Sequence, residues 1–139
     1  PYFFGLQESE KRYAFATEIQ NHGLFGSDFK MCLFGKELEA SVPLPGQHMV
    51  INALAAATVG KLLGMEEEDI LKGIASVQAT GGRSNILKLA DKTVIDDCYN
   101  ANPVSMKAAI DLLMMAQGKK VVILGDMFEQ LLNKGFKKI

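Results

Sequence analysis

The sequence predicts an α/β fold, and three observations support this prediction. Alternating segments come first, an Ala- and Leu-rich helical segment follows, and a strand, loop and helix pattern comes last in the 139 residues. The composition, with 48% hydrophobic and 22% charged residues, is typical of a globular chain that buries a core. A break in composition at residues 78–84 (QATGGRS) resembles a hinge. We therefore predict two pieces, residues 1–79 and residues 80–139.

The first piece begins with alternating segments that predict an antiparallel sheet. Residues 12–20 and 27–34 alternate, and a turn at residues 35–37 leads into a third alternating segment. The side chains that share one side of each strand are Tyr13, Phe15, Thr17 and Ile19, then Phe29, Met31 and Leu33, and then Leu38, Ala40 and Val42. We expect these period-two stripes to form one buried face rather than a ligand pocket.

Two helices complete the first piece. Residues 47–63 predict a helix that Gly64 ends, and residues 66–77 predict a second helix with its acidic residues at the N-terminal end. Asn52 is unusual because apolar residues surround it in the first of these helices. Its amide either bonds to a neighbouring carbonyl or water, or faces a polar ligand. His48 is either a solvated helix-end residue or part of the same site.

The second piece contains a strand, helix and strand pattern. Residues 86–89 and 93–97 predict strands, residues 105–116 predict an amphipathic helix, and residues 120–124 predict a buried parallel strand. On the helix we expect Ile110, Leu113 and Met114 to face inward and Lys107 and Asp111 to face outward. The last strand ends at Gly125-Asp126-Met127, which completes a βαβ unit.

A polar loop follows the strand at residues 93–97. Ligands of open α/β sheets bind at the carboxyl ends of strands, which is where Asp96, Asp97, Tyr99, Asn100 and Asn102 lie. An ordinary polar connection with a helix N-cap explains the same residues equally well. Arg83 in the hinge likewise leaves two interpretations open: it is a solvent-facing charge, or it reaches a phosphate.

Several functional classes do not fit the sequence. A net charge of −1 provides no field for nucleic acid or an anionic membrane, and two cysteines indicate a reducing, cytosolic compartment. No cluster has metal-ligand spacing, and no apolar run is long enough to span a bilayer. There is no phosphate loop and no G-x-G-x-x-G fingerprint. No signal peptide opens the chain, and the missing initial Met suggests a piece of a longer protein.

Several motifs, in this order, resemble those of the Mur ligases. They are residues 44–48 (LPGQH), 52–57 (NALAAA), 82–83 (GR), 96–106 (DDCYNANPVSM) and 124–127 (LGDM) with Glu129. Within the family, the Tyr-Asn-Ala-Asn-Pro loop and the Gly-Asp-Met strand end resemble the members that add D-alanyl-D-alanine to UDP-N-acetylmuramoyl-tripeptide. The resemblance covers about residues 1–129.

This resemblance implies that the chain is an internal fragment of an ATP-dependent amide ligase in cytoplasmic peptidoglycan precursor synthesis. Residues 1–79 would be the end of the central ATPase domain, and residues 80–139 the hinge and the start of a Rossmann-like C-terminal domain. The family uses ATP and Mg²⁺, and we expect most metal ligands to lie outside this fragment. The fragment alone should be inactive because it lacks the phosphate loop and the UDP-substrate domain.

The resemblance also implies roles for individual residues. Asn52 matches an asparagine that binds adenine, Arg83 an arginine that reaches the ATP phosphates, and Asp97 a carboxylate that binds the ribose hydroxyls. The residues expected to line the site are His48, Tyr99, Asn100 and Asn102. We expect neither a catalytic residue nor a metal ligand in this fragment, and Cys98, where the family often has Ser, is expected to be no nucleophile.

Two departures from the family pattern stand out. Met49 occupies a position where the family usually has Asn, so one polar contact at the adenine end is expected to be lost. Residues 130–139 (QLLNKGFKKI) do not continue as the family does, and they are either a divergent helix or a cloning or reading-frame artefact. Alternative functions are another Mur or folylpolyglutamate synthase-type ligase, or a nucleotide-binding module without catalysis. A dinucleotide-binding half-domain fits less well, because Gly125-Asp126-Met127 lacks the glycine fingerprint.

Overall fold

The computed structural model describes residues 1–8 and 11–125, and the chain divides into two compact units, residues 1–78 and 79–139. Its mixture of strands and helices confirms the predicted α/β class. The elements are β1 (Phe3–Gly5), β2 (Arg12–Asn21), β3 (Ser27–Leu33), β4 (Lys36–Val42), α1 (Gln47–Leu62), α2 (Glu67–Ala75), β5 (Asn85–Lys88), β6 (Thr93–Asp96) and α3 (Pro103–Met115), with a 3₁₀ turn at Gly23–Phe25. None of the helices in the described residues is long and apolar enough to cross a membrane.

A four-stranded sheet, in the order β1-β2-β3-β4, forms one layer of the first unit. β1 is parallel to β2, and the other neighbours are antiparallel. The predicted stripe on β3 is confirmed, because Phe29, Met31 and Leu33 are all buried. The turn into β4 is formed by Phe34 and Gly35, whose φ angles of 49° and 83° are typical of a tight hairpin turn.

On β2 the structure reverses the predicted side. Ala14 and Ala16 are buried, whereas Tyr13 is 42% exposed and its ring lies 5.2 Å from that of Phe34. Both sides of this strand are apolar, so the alternation alone could not identify the inner one. The small alanines lie on the side where α1 packs against β2. A register shift between Thr17 and Gln20 then interrupts the alternation before the end of the strand.

Helix α1 covers this sheet and ends as predicted. Gly64 has a φ of 83°, its N–H donates to the Lys61 carbonyl, and the Met65 N–H donates to the Gly60 carbonyl. These two bonds are the pair expected of a glycine-terminated helix. The side chains of Val50 and Leu54, on the inner side of α1, are fully buried.

One carboxylate links α1, α2 and β4 at the edge of the first unit. Glu67, in the first turn of α2, accepts from the ammonium groups of Lys61 and Lys36, the latter at 3.1 Å. These hydrogen bonds lower the pKa of Glu67 to about 2. The predicted acidic helix start therefore also contributes a tertiary contact.

The second unit contains the antiparallel β5–β6 hairpin and α3. On α3 the outward Lys107 and Asp111 form an ion pair of 2.6 Å. The predicted inward face is wrong in part, because Ile110 and Met114 are 40% and 63% exposed while Leu112 is buried. Apolar side chains surround much of this helix, so the sequence pattern did not define one face.

The predicted strand at residues 120–124 is not formed. Within the described residues, the chain from residue 120 to residue 125 has no regular secondary structure, and Val121 and Ile123 are 69% and 94% exposed. A parallel-type strand needs cover on both faces, and α3 is the only helix in the described part of the second unit. The predicted strand end at Asp126-Met127, Glu129 and residues 130–139 lie outside the described residues.

Candidate nucleotide site

Two loops of the second unit, residues 80–84 and residues 97–102, are held together by hydrogen bonds from backbone N–H groups. The Tyr99 N–H donates to the Gly82 carbonyl at 2.9 Å, and the Ser84 N–H donates to Asp97 Oδ1 at 2.9 Å. A further bond of 3.0 Å, from the Arg83 N–H to the Thr80 carbonyl, closes a turn in the first loop. The structure thus brings Arg83, Asp97 and Tyr99 together.

Gly82 permits the close approach of these loops. It has a φ of 74°, and a Cβ at this position would lie 3.3 Å from Tyr99 N and 3.4 Å from Tyr99 Cβ. Gly81 has open space around it, with no atom within 4 Å of such a Cβ. The sequence predicts both glycines to be parts of a hinge, whereas the geometry requires glycine at Gly82.

The Arg83 side chain lies on the ring of Tyr99. Its guanidinium carbon is 4.1 Å from the ring centroid, which is within the range of a cation–π interaction. The ring itself is 67% exposed, and Arg83 is exposed as well. A solvent-accessible cation is therefore fixed at the surface of the loop pair.

Two neighbouring carboxylates have different partners. Asp97 is half-buried and receives the Ser84 N–H, and a carboxylate can accept further hydrogen bonds on both oxygens. Asp96 instead accepts a hydrogen bond from the Cys98 thiol, which raises the pKa of Cys98. This shift disfavours the thiolate, the nucleophilic form of cysteine. Asp97 is thus the carboxylate oriented by the loop pair.

The two asparagines of the loop make local contacts. Asn102 is the N-cap of α3: its Oδ1 accepts from the N–H groups of Val104 and Ser105, and Ser105 Oγ accepts from the Asn102 N–H. Asn100 Oδ1 accepts from the Ala101 N–H at 2.8 Å. The helix-cap interpretation of the polar loop therefore applies to Asn102, and a ligand contact by either asparagine stays a prediction.

In the first unit, His48 and Asn52 lie one helical turn apart on the exposed side of α1. The His48 ring folds back over Gly46, where a Cβ would lie 2.6 Å from His48 Cε1. Asn52 is exposed, although apolar residues surround it in the sequence, and a ligand contact by its amide stays a prediction. Its Nδ2 lies 3.7 Å from the Met49 sulfur, within hydrogen-bonding range.

Within the described ranges, no group of three or more His, Cys, Asp or Glu side chains could hold a metal ion. The loop pair of the second unit instead provides a cation, a carboxylate and an aromatic ring. A guanidinium suits phosphate oxygens, and a carboxylate suits vicinal hydroxyls. These groups fit a nucleoside polyphosphate.

Comparison with known proteins gives a consistent result. Residues 82–137 match the family described as Mur ligase, glutamate ligase domain. The chain is 43% identical over 91 residues to the UDP-N-acetylmuramoyl-tripeptide–D-alanyl-D-alanine ligase of Bacillus subtilis, covering 63% of this chain and 20% of the relative. It is 40% identical over 127 residues to the ligase of the same name from Buchnera aphidicola subsp. Baizongia pistaciae, covering 91% and 27%.

A solved structure agrees with these relatives. The crystal structure of MurF from Acinetobacter baumannii superimposes with a TM-score of 0.75 at 37% identity, covering 84% of this chain and 25% of that one. The chain thus spans 20% and 27% of the length of the two curated relatives.

Proposed function

The chain belongs to the Mur ligase family, and we propose that it is part of an ATP-dependent amide ligase that joins D-alanyl-D-alanine to UDP-N-acetylmuramoyl-tripeptide. The observation that carries this proposal is the extent of the similarity to ligases of that name. A match over 91% of the chain at 40% identity includes residues of both units. The similarity therefore covers the helix that carries Asn52 as well as the loop pair that carries Arg83 and Asp97.

In the proposed reaction, ATP supplies the phosphoryl group that turns the tripeptide carboxylate into an acyl phosphate, which the D-alanyl-D-alanine amine attacks with release of phosphate. The residues of this chain bind and orient the nucleotide. Arg83 provides in-plane N–H donors for phosphate oxygens, and Asp97 accepts from the ribose hydroxyls. Asn52 can read the donor and acceptor edge of adenine, with Met49 beside its amide.

We propose His48, Tyr99, Asn100 and Asn102 as the lining of the same nucleotide site. Phosphoryl transfer of this kind uses Mg²⁺ to neutralise charge, and we propose that most of its ligands lie in parts of the protein beyond these 139 residues. Since these residues contain no phosphate loop, we propose that they do not ligate by themselves. The cytoplasm, where the family makes peptidoglycan precursors, is the proposed location.

The test compares this chain with the longer protein that contains it. Each is supplied with ATP, Mg²⁺, D-alanyl-D-alanine and UDP-N-acetylmuramoyl-tripeptide, and phosphate release and the ligated product are measured. We expect product from the longer protein alone. In that protein, Asp97→Ala and Asn52→Ala should each raise the KM for ATP by about tenfold, because each removes a hydrogen-bonding partner of the nucleotide.

Asp91→Ala is the matched control, because Asp91 is an exposed carboxylate in the β5–β6 turn that pairs with Lys92 at 3.6 Å. It should leave the KM for ATP unchanged. Ligation of glutamate to a folate in place of D-alanyl-D-alanine would replace the proposal with a folylpolyglutamate synthase-type activity. ATP binding without any ligation by the longer protein would replace it with a nucleotide-binding module.

A further inference from the structure

We propose that Tyr99 is a positioning residue for Arg83, holding the guanidinium on the loop pair that also carries Asp97. This inference rests on the proposed function, because its ligand is the polyphosphate of the nucleotide. The cation and the ribose-binding carboxylate would then meet the nucleotide in a fixed arrangement. The observation that supports it is the distance of 4.1 Å between the Arg83 guanidinium carbon and the Tyr99 ring centroid.

The backbone geometry fixes both ends of this pair. The Tyr99 N–H donates to the carbonyl of Gly82, the residue immediately before Arg83, at 2.9 Å. The Ser84 N–H, on the other side of Arg83, donates to Asp97 at 2.9 Å. Because both neighbours of Arg83 are bonded to the loop of Tyr99 and Asp97, the ring stands at a defined place beside the Arg83 side chain.

A guanidinium can stack and bind phosphate at the same time. The ring contacts the flat face of the group, whereas its N–H donors point outward in the plane. An arginine without such a contact would lose more rotamer freedom when it binds phosphate. The ring is 67% exposed and therefore contributes little to a core, so packing alone does not account for its position.

The proposal predicts that Tyr99 matters for phosphates and not for the nucleoside. In the longer protein we would measure dissociation constants for ATP and for adenosine with the parent sequence, Tyr99→Leu, Tyr99→Phe, Arg83→Ala and the Tyr99→Leu/Arg83→Ala double variant. Tyr99→Leu should weaken ATP binding by about 2- to 5-fold, as expected for an exposed cation–π pair. Adenosine binding should not change.

Two further comparisons separate positioning from a general structural effect. Tyr99→Phe keeps the aromatic face and should retain parental ATP affinity. In the Arg83→Ala background, Tyr99→Leu should have no additional effect, because the partner is absent. Phe25→Leu, at a ring that is 65% exposed in the first unit, is the control for loss of a surface aromatic side chain.

Equal losses of ATP and adenosine affinity, or a Tyr99→Leu effect that persists without Arg83, would overturn the proposal. An unchanged ATP affinity in Tyr99→Leu or in Arg83→Ala would do the same. The outcome is separable from that of the ligation assay. If Arg83 and Tyr99 are coupled in a protein that binds ATP but forms no product, the positioning role is supported and the proposed function fails. If the protein ligates but the two residues are not coupled, the proposed function is supported and the positioning role fails.

Discussion

The two units of this chain are stabilised in different ways. The core cluster of thirteen buried apolar residues lies entirely within residues 1–78. In the described part of the second unit, Leu112 is the only buried apolar residue. That unit is instead organised by the β5–β6 hairpin, the N-cap of α3 and the hydrogen bonds between its two loops.

This difference bears on the candidate site. Arg83, Asp97 and Tyr99 are oriented by local polar contacts, and local contacts open at a lower free energy than a buried core. Asn52, by contrast, lies on a helix whose opposite side contributes Leu54 and Val50 to the core. We infer that Asn52 is rigidly supported, and that the positions of Arg83, Asp97 and Tyr99 depend on a few hydrogen bonds.

A cavity introduced into each unit should give the largest change in the free energy of unfolding that tests this comparison. Leu54→Ala should lower the free energy of unfolding by about 3 kcal/mol, because Leu54 is fully buried and close-packed surroundings relax only partly around a cavity. Leu112→Ala should cost less, since several of its neighbours on α3 are exposed and can relax into the space. Urea denaturation of this chain, followed by circular dichroism, measures both.

Leu63→Ala is the control for the change of residue type, because this leucine is 78% exposed at the end of α1. It should change the unfolding free energy by less than about 0.5 kcal/mol. If Leu112→Ala cost as much as Leu54→Ala, the second unit would possess a core comparable to the first, and the comparison would be wrong.

A smaller effect is expected where the loops of the second unit meet. Gly82→Ala places a Cβ at a positive φ and against the Tyr99 backbone, so it should cost about 1–2 kcal/mol locally. The Tyr99 amide should then exchange its hydrogen about 5- to 30-fold faster, while amides of β3 keep their rates. Hydrogen exchange followed by NMR measures this difference.

Gly81→Ala is the matched control, because the same substitution one residue earlier meets open space. It should leave the exchange of the Tyr99 amide unchanged. If both substitutions accelerated hydrogen exchange of the Tyr99 amide equally, the loop contact would not depend on glycine at position 82.

The sequence-based predictions succeeded where the sequence itself distinguishes the two sides of an element. The stripe of Phe29, Met31 and Leu33 was predicted correctly, because the alternate positions carry the charged Asp28 and Lys30 and leave one apolar side. The helix end at Gly64 was also predicted correctly, because its hydrogen bonds are to residues of the preceding turn. The inner side of β2 was not, since Tyr13 and Ala14 are both apolar and only the approach of α1 distinguishes them. Alternation identifies a strand, but the packing partner selects its face.

In the second unit, the pattern at residues 120–124 required partners to become a strand, and the hydrophobic run alone could not supply them. The site residues Arg83 and Asp97 came from motif resemblance, and their nucleotide roles stay predictions. The hydrogen bond between Tyr99 and Gly82 was not predicted, because a contact between residues 17 positions apart leaves no periodic signal in the sequence. Gly82 was the one available clue, as a residue able to adopt a positive φ.

The smallest expected effect is on the acid dependence of the unfolding free energy of the first unit. Lys61 and Lys36 hold the pKa of Glu67 at about 2, below its ordinary value of 4.5. A carboxyl whose pKa is lowered by folding stabilises the folded state above pH 4.5, and this contribution is lost as the pH falls towards 2. Glu67→Gln should therefore flatten the decline of unfolding free energy over this interval, as measured by urea denaturation at successive pH values.

Glu68→Gln is the control, because Glu68 is 85% exposed and pairs with Lys72 on the same helix at 3.5 Å. It should leave the acid dependence nearly as in the parent, since exposed pairs of this kind are weak. In the described part of the second unit, the ion pairs Asp91–Lys92 and Lys107–Asp111 are likewise local and exposed. The Arg83 and Tyr99 amides donate to backbone carbonyls, so their protection should depend less on acid than the unfolding of the first unit does. A parallel loss of both would mean that the two units unfold together.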